Sequence, residues 1–263
     1  MESKKIQVGN TAISYFDKGE GKTIVLIHGF AGSKLYWEKV LPDLSENYRA
    51  IAIDLPGHGE STMGFEKNSI EDMAGLIKEL LDTLGLEDVT MFGHSLGGYI
   101  TLAFAERYPQ YLNGFSLIHS TANPDSDEAK SGRETNAKKV LEEGMDSFIH
   151  GLSQKLFSPA NSEVNAQDIK TTVKIGMSTS IKGVVSALLA MRDRPDQNYV
   201  LEDSEVPVLI VAGEQDQIIP PDKAFTIKKP NIQQVLIKGA GHMSMYEQPA
   251  ELVRAMEDFL AKI

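Results

Sequence analysis

Val89-Thr90-Met91-Phe92-Gly93-His94-Ser95-Leu96-Gly97-Gly98 joins a short, largely apolar run to a helix-forming one through a serine flanked by glycines. Residues 89–92 have strand length, and residues 96–108 read as a helix ended by Pro109. Gly93, Ser95 and Gly97 spell G-x-S-x-G between them. A strand that reverses sharply into a helix exposes the serine hydroxyl at the corner. Such a corner leaves almost no room for side chains two positions before and two after, which is why glycine stands there. The helix N-terminus then aims backbone N–H groups at whatever oxygen reacts with the serine. Ser95 is therefore the candidate nucleophile.

The same kind of apolar run recurs along the chain. Thr23–Ile27 and residues 50–53, 115–118, 208–211 and 235–237 are each strand length and rich in β-branched residues. Continuous apolar strands suit a parallel sheet covered on both faces. Amphipathic stretches lie between several of them. Ile70–Leu84 carries apolar residues at helical spacing and stops at Gly85, and residues 249–263 start a further helix with Pro249 in its first turn. Strands alternating with helices predict an α/β fold with a mostly parallel sheet. Residues 122–200 break the alternation. They show helical stripes, such as Ile181, Val184, Val185, Leu188 and Met191, and no strong strand signal. The expected organisation is a core of residues 1–121 and 201–263, with a helical cap inserted at 122–200.

A serine nucleophile needs a general base. Of the six histidines, His242 stands in Gly239-Ala240-Gly241-His242-Met243, just past the apolar run 235–237 and before the last helix. A carboxylate between Ser95 and His242 in chain order would orient the imidazole. Asp216 follows the run 208–211, with Glu214, Asp222 and Asp125 as rivals. The oxyanion formed on attack needs two N–H donors, and those of Leu96 and Phe30 fit, the latter from His28-Gly29-Phe30 after Thr23–Ile27. His28 reads as a brace for that loop. His119 and Ser120, after the run 115–118, point towards the same rim and read as structural.

Composition narrows the alternatives. The net charge of -11 argues against nucleic acid as a partner, because phosphate contacts need a basic face. With no cysteine, disulfides, thiolate catalysis and cysteine-ligated metals are excluded. No metal and no cofactor is expected. Met1-Glu2-Ser3-Lys4-Lys5 leads into no apolar signal region, and no stretch approaches the roughly 18 apolar residues of a membrane span. The expectation is a cytoplasmic protein with no membrane partner and a small-molecule acyl substrate. Oligomeric state stays open.

In order, His28-Gly29-Phe30, Asp54 through Ser61, Gly93 through Gly98, Gly213 through Pro220 and Gly241-His242 resemble the α/β-hydrolase superfamily. The resemblance covers nearly the whole chain outside 122–200. It implies an eight-stranded, mostly parallel sheet with helices on both faces, a cap after the sixth strand and a Ser95–Asp216–His242 triad. It also implies that Asp54–Ser61, His58 included, is structural. Ser95 separates the chain from haloalkane dehalogenases and epoxide hydrolases of this fold, which carry an aspartate there. Carboxylesterases, enol-lactone hydrolases, cofactor-free perhydrolases and C–C bond hydrolases are all similar.

The expected reaction is acyl transfer from a small to medium, mainly apolar carboxylic ester to water. Enol-lactone or C–C bond hydrolysis, transfer to peroxide or alcohol, and a non-catalytic ligand-binding role are the alternatives. His242 must be neutral to act as base, so the rate should rise near the reference histidine pKa of about 6.5. Phe30, Leu96, Ile218 and Met243, with Met177, Leu188 and Met191 from the cap, are the expected pocket lining. Their apolar character favours uncharged acyl groups.

Overall fold

The computed structural model describes residues 1–64 and 69–263. Eight strands form one sheet: β1 (Lys4–Val8), β2 (Thr11–Lys18), β3 (Thr23–Ile27), β4 (Arg49–Ile53), β5 (Val89–His94), β6 (Leu112–Ile118), β7 (Val208–Gly213) and β8 (Ile232–Ile237). Their order is β1-β2-β4-β3-β5-β6-β7-β8. From β4 to β8 every pairing is parallel, whereas β2 pairs antiparallel with both β1 and β4. The apolar runs become central strands because both faces are covered. Ile24 and Leu26 point into one apolar cluster, and Val25 and Ile27 into the other. Leu209 and Val211 against Val208 and Ile210 repeat the alternation on β7.

Two elements escaped the apolar-run criterion. β1 and β2 sit at the sheet edge, and β1 is mostly exposed, so its sequence KKIQV carries little apolar signal. The legible sign was the turn. Gly9-Asn10 is a two-residue loop, and Gly9 has φ 52°, which a hairpin turn of the primed type demands.

The helices in chain order are α1 (Leu41–Leu44), α2 (Ile70–Leu84), α3 (Leu96–Arg107), α4 (Asp127–Glu143), α5 (Asp146–Leu156), α6 (Ala166–Met177), α7 (Ile181–Asp193), α8 (Asn198–Asp203), α9 (Pro221–Ala224), α10 (Ser244–Glu247) and α11 (Pro249–Leu260). In α2, Ser69 and Asp72 form a reciprocal capping box, and Gly85 closes the helix at φ 65°. Five helices, α4 to α8, fill the chain between β6 and β7, and the last runs past residue 200 to Asp203. Among the described residues, no single helix is long and apolar enough to cross a membrane.

The chain passes from β3 outward to β4 and then returns to β5 on the other side of β3. The loops after β3 and β5 therefore diverge and leave a crevice at the carboxyl edge of the sheet, where α/β proteins place their ligands.

Candidate active site

The corner after β5 is as tight as the sequence demands. Ser95 has φ 51° and ψ -113°, a conformation that costs a non-glycine residue about 1–3 kcal/mol. A Cβ on Gly93 would sit 2.3 Å from the Gly97 carbonyl oxygen, and one on Gly97 would sit 2.4 Å from that of Ile27. One on Gly98 would strike Ser120 Oγ at 2.3 Å. Ala31 (φ 50°) and His119 (φ 48°) share the left-handed region. The three follow β3, β5 and β6, so backbone strain gathers along one edge of the crevice.

Asp216 follows β7, and its Oδ2 accepts the Nδ1–H of His242 at 2.8 Å. Its Oδ1 accepts the backbone N–H groups of Ile218 (2.8 Å) and Ile219 (2.9 Å). His119 adds a second imidazole, Nδ1 donating to the same Oδ2 at 3.2 Å. Burial alone would raise the Asp216 carboxyl, but the His242 charge and the bonds from both histidines outweigh it. The group is held well below the usual carboxylate range. His119 Nε2 then accepts from Ser244 Oγ at 2.7 Å, which fixes its tautomer. Burial pushes His119 below the ordinary histidine value despite the carboxylate beside it, so this second imidazole is neutral near pH 7.

The rival carboxylates are engaged elsewhere. Glu214 accepts from the Gly239 N–H at 2.9 Å, and Asp222 is exposed. Asp125 lies between Arg133 and Arg194.

His94, the residue before Ser95, is also enclosed. Its Nε2 donates to the His242 carbonyl at 2.9 Å, tying the loop after β8 to the corner after β5. Burial, followed by the neighbouring His242 and His119, pushes His94 well below the ordinary histidine value. His28 accepts the Leu55 N–H at Nε2 (3.0 Å) and donates from Nδ1 to the Gly29 carbonyl (2.7 Å), bracing the loop after β3 against the one after β4. In the latter loop, Asp54 binds the buried ammonium of Lys34 at 2.6 Å and the Glu60 N–H at 2.9 Å. Its polar groups are spent on holding the loop.

A cavity of about 50 Å³ brings together Ser95, His242, Phe30, Ile218 and Met191. Leu96 lies directly after Ser95 as the first residue of α3, so its N–H has no acceptor within the helix. A Cβ on Gly29 would come within 3.2 Å of Ser95 Cβ, so the loop carrying Phe30 passes beside Ser95. Four expected lining residues are not in this cavity, and Leu96 among them is fully buried in the core. Met177 ends α6 and is 40% exposed, whereas Leu188 and Met243 are enclosed in the apolar clusters. The helical stripe on α7 divides between core and cavity, a division that periodicity alone does not reveal. Conversely, Arg133, Tyr36, Tyr99, Leu152 and Leu156 line the cavity without having been singled out from the sequence. Arg133 lies on the polar helix α4, where nothing local distinguishes it from other surface charges. A wider groove of about 870 Å³ between α5 and α6 is lined by Gln217 but by neither Ser95 nor His242.

Comparison with known proteins agrees with this architecture. The family described as alpha/beta hydrolase fold matches residues 22–143. The dihydrolipoyllysine-residue acetyltransferase component of the acetoin cleaving system of Pseudomonas putida is 30% identical over 271 residues, covering 98% of this chain and 69% of that protein. A thermophilic esterase from Thermogutta terrifontis, solved with malate bound, is 30% identical with a TM-score of 0.94, over 100% of this chain and 99% of the esterase. The enol-lactonase from Burkholderia xenovorans superposes with a TM-score of 0.91 at 23% identity, over 98% of this chain and all of the enol-lactonase, a likeness of fold. The chain belongs to the α/β-hydrolase family.

Proposed function

We propose that the protein is a serine hydrolase that cleaves a small carboxylic ester through an acyl-enzyme. The observation that carries this reading is the 2.8 Å bond from His242 to Asp216 beside a cavity that His242 shares with Ser95. With Nδ1 committed to Asp216, the Nε2 of His242 is left to take the Ser95 proton as Ser95 Oγ attacks the acyl carbon. The negative charge passes to the carbonyl oxygen, and the N–H groups of Phe30 and Leu96 receive it. Loss of one such donor costs roughly 3–4 kcal/mol in the transition state. His242 returns its proton to the leaving alkoxide as the C–O bond breaks. Water, deprotonated by His242, then attacks the acyl-enzyme, and Ser95 leaves with the proton restored. A cavity of about 50 Å³ holds only a few water-sized groups, which favours a short acyl chain.

The test is labelling with a fluorophosphonate probe together with turnover of nitrophenyl acetate. Both should occur in the parent and vanish in Ser95→Ala. An unlabelled parent, or a Ser95→Ala variant that still turns over, overturns the reading.

A further inference from the structure

We propose that the cavity is built for an anion, and that the substrate is a short ester carrying a free carboxylate, held by Arg133. The identity of the reaction rests on the serine hydrolase reading; the anion site itself does not. Arg133 is the one residue among those described lining the cavity that carries a lysine, arginine or acidic side chain. It projects from α4, and its side chain is 26% exposed. Its Nε donates to Asp125 Oδ2 at 3.0 Å. Neither Nη group has a hydrogen-bond partner among the described residues.

The pairing behind Arg133 does not neutralise it. Asp125 Oδ1 is also held, at 2.8 Å, by Arg194, whose side chain is only 4% exposed. Arg194 lies over the Tyr99 ring at 4.0 Å and donates to the Met191 and Asn123 carbonyls. One carboxylate thus sits between two guanidinium groups, so the cluster of Arg133, Asp125 and Arg194 by itself carries one positive charge in excess. His94 and His119 are neutral and do not offset or add to it. Asp216 is already committed to two imidazoles and two backbone N–H groups.

An arginine in the wall of a cavity, with its Nη groups free of protein partners among the described residues, gains most from an anion that completes their hydrogen bonds. Its planar fork suits a carboxylate in two-point contact. The apolar walls of Phe30, Met191 and Ile218 accommodate a short methylene spacer between that carboxylate and the scissile carbonyl. Uncharged acyl groups were expected from the sequence because Arg133 is invisible as a site residue there.

The experiment compares monomethyl succinate with its neutral counterpart methyl levulinate in the parent, Arg133→Met and Arg133→Lys. Each rate is divided by the concentration of sites titrated with fluorophosphonate. The parent should favour the succinate monoester in kcat/KM by roughly tenfold or more, as expected for a hydrogen bond to a charged group. Arg133→Met should abolish that preference, chiefly through KM, and Arg133→Lys should keep part of it. Calorimetry with succinate gives a readout independent of turnover, with binding weakened roughly tenfold in Arg133→Met. No preference in the parent, or a preference that survives Arg133→Met, overturns the anion site and leaves the hydrolase reading standing. A parent that is neither labelled nor active overturns the hydrolase reading, and succinate binding then decides the anion site alone.

Discussion

The loops at the carboxyl edge of the sheet and the helix α4 meet over one cavity, yet they are held in different ways. Around Ser95 the backbone is over-determined. Gly93, Gly97 and Gly98 each face an atom within 2.4 Å of where a Cβ would stand, and Asp216 has four donors. On α4 only Ala137 and Val140 are buried, and a Cβ on Gly132 would meet nothing within 4 Å. That helix is tied down by polar links such as Arg133 to Asp125 and Arg192 to Glu134. A region held by packing tolerates no change of shape. One held by a few polar links can vary its other residues without disturbing the fold. The proposed reaction and the proposed anion contact thereby fall on parts of the chain with different freedom to change.

The largest expected effect follows from breaking the chemical side of this contrast. Asp216→Asn keeps an oxygen for Ile218 and Ile219 but presents His242 with the wrong hydrogen-bonding partner. Turnover of nitrophenyl acetate should fall about 10⁴-fold, with the thermal melt still cooperative. A loss of less than tenfold would contradict the orienting role.

Acid should weaken the packed side next. Burial is the first cause that pushes His28, His58, His94 and His119 below the ordinary histidine value. Once unfolded, each titrates near about 6.5. Below that pH the unfolded chain binds protons that the folded chain refuses, so stability falls as pH falls. The slope reaches up to about 1.4 kcal/mol per histidine per pH unit. Asp216 acts in the same direction at lower pH. Its stabilisation is present above about 3.9 and is lost as pH drops through its depressed folded value. Thermal melts should shift down steeply between about pH 6.5 and about pH 5. A Tm that stays constant across that interval would mean that these rings gain protons without cost.

Two glycine substitutions sharpen the comparison directly. Gly97→Ala places a methyl against the carbonyl oxygens of Ile27 and His28, which belong to backbone and cannot swing aside. It should cost about 3 kcal/mol in denaturant unfolding. Gly132→Ala, inside α4 and free of neighbours, should stabilise by about 0.5–1 kcal/mol. Equal effects of the same sign would erase the distinction between the two regions.

Much of the site was legible because its signals are local. Ser95, Asp216 and His242 each follow an apolar strand and stand in glycine-containing turns, and strand ends in a parallel sheet lie side by side. The hairpin of β1 and β2 was less legible, since β1 is a mostly exposed edge and β2, though largely buried, mixes threonine, serine and aspartate with its apolar residues. Met177, Leu188 and Met243 illustrate the remaining gap. An apolar residue at helical spacing says that something covers it, not whether the cover is core or cavity.

By itself, the sequence determined the α/β architecture and placed the candidate residues Ser95, Asp216 and His242 at strand ends, because strand periodicity and turn chemistry are written in neighbouring residues. Only the tertiary structure decided that His119 shares Asp216 with His242, that His94 ties two loops together, and that Arg133 stands in the cavity with Ser95. Each of these joins residues far apart in the chain, and such contacts are fixed by the packing of whole elements.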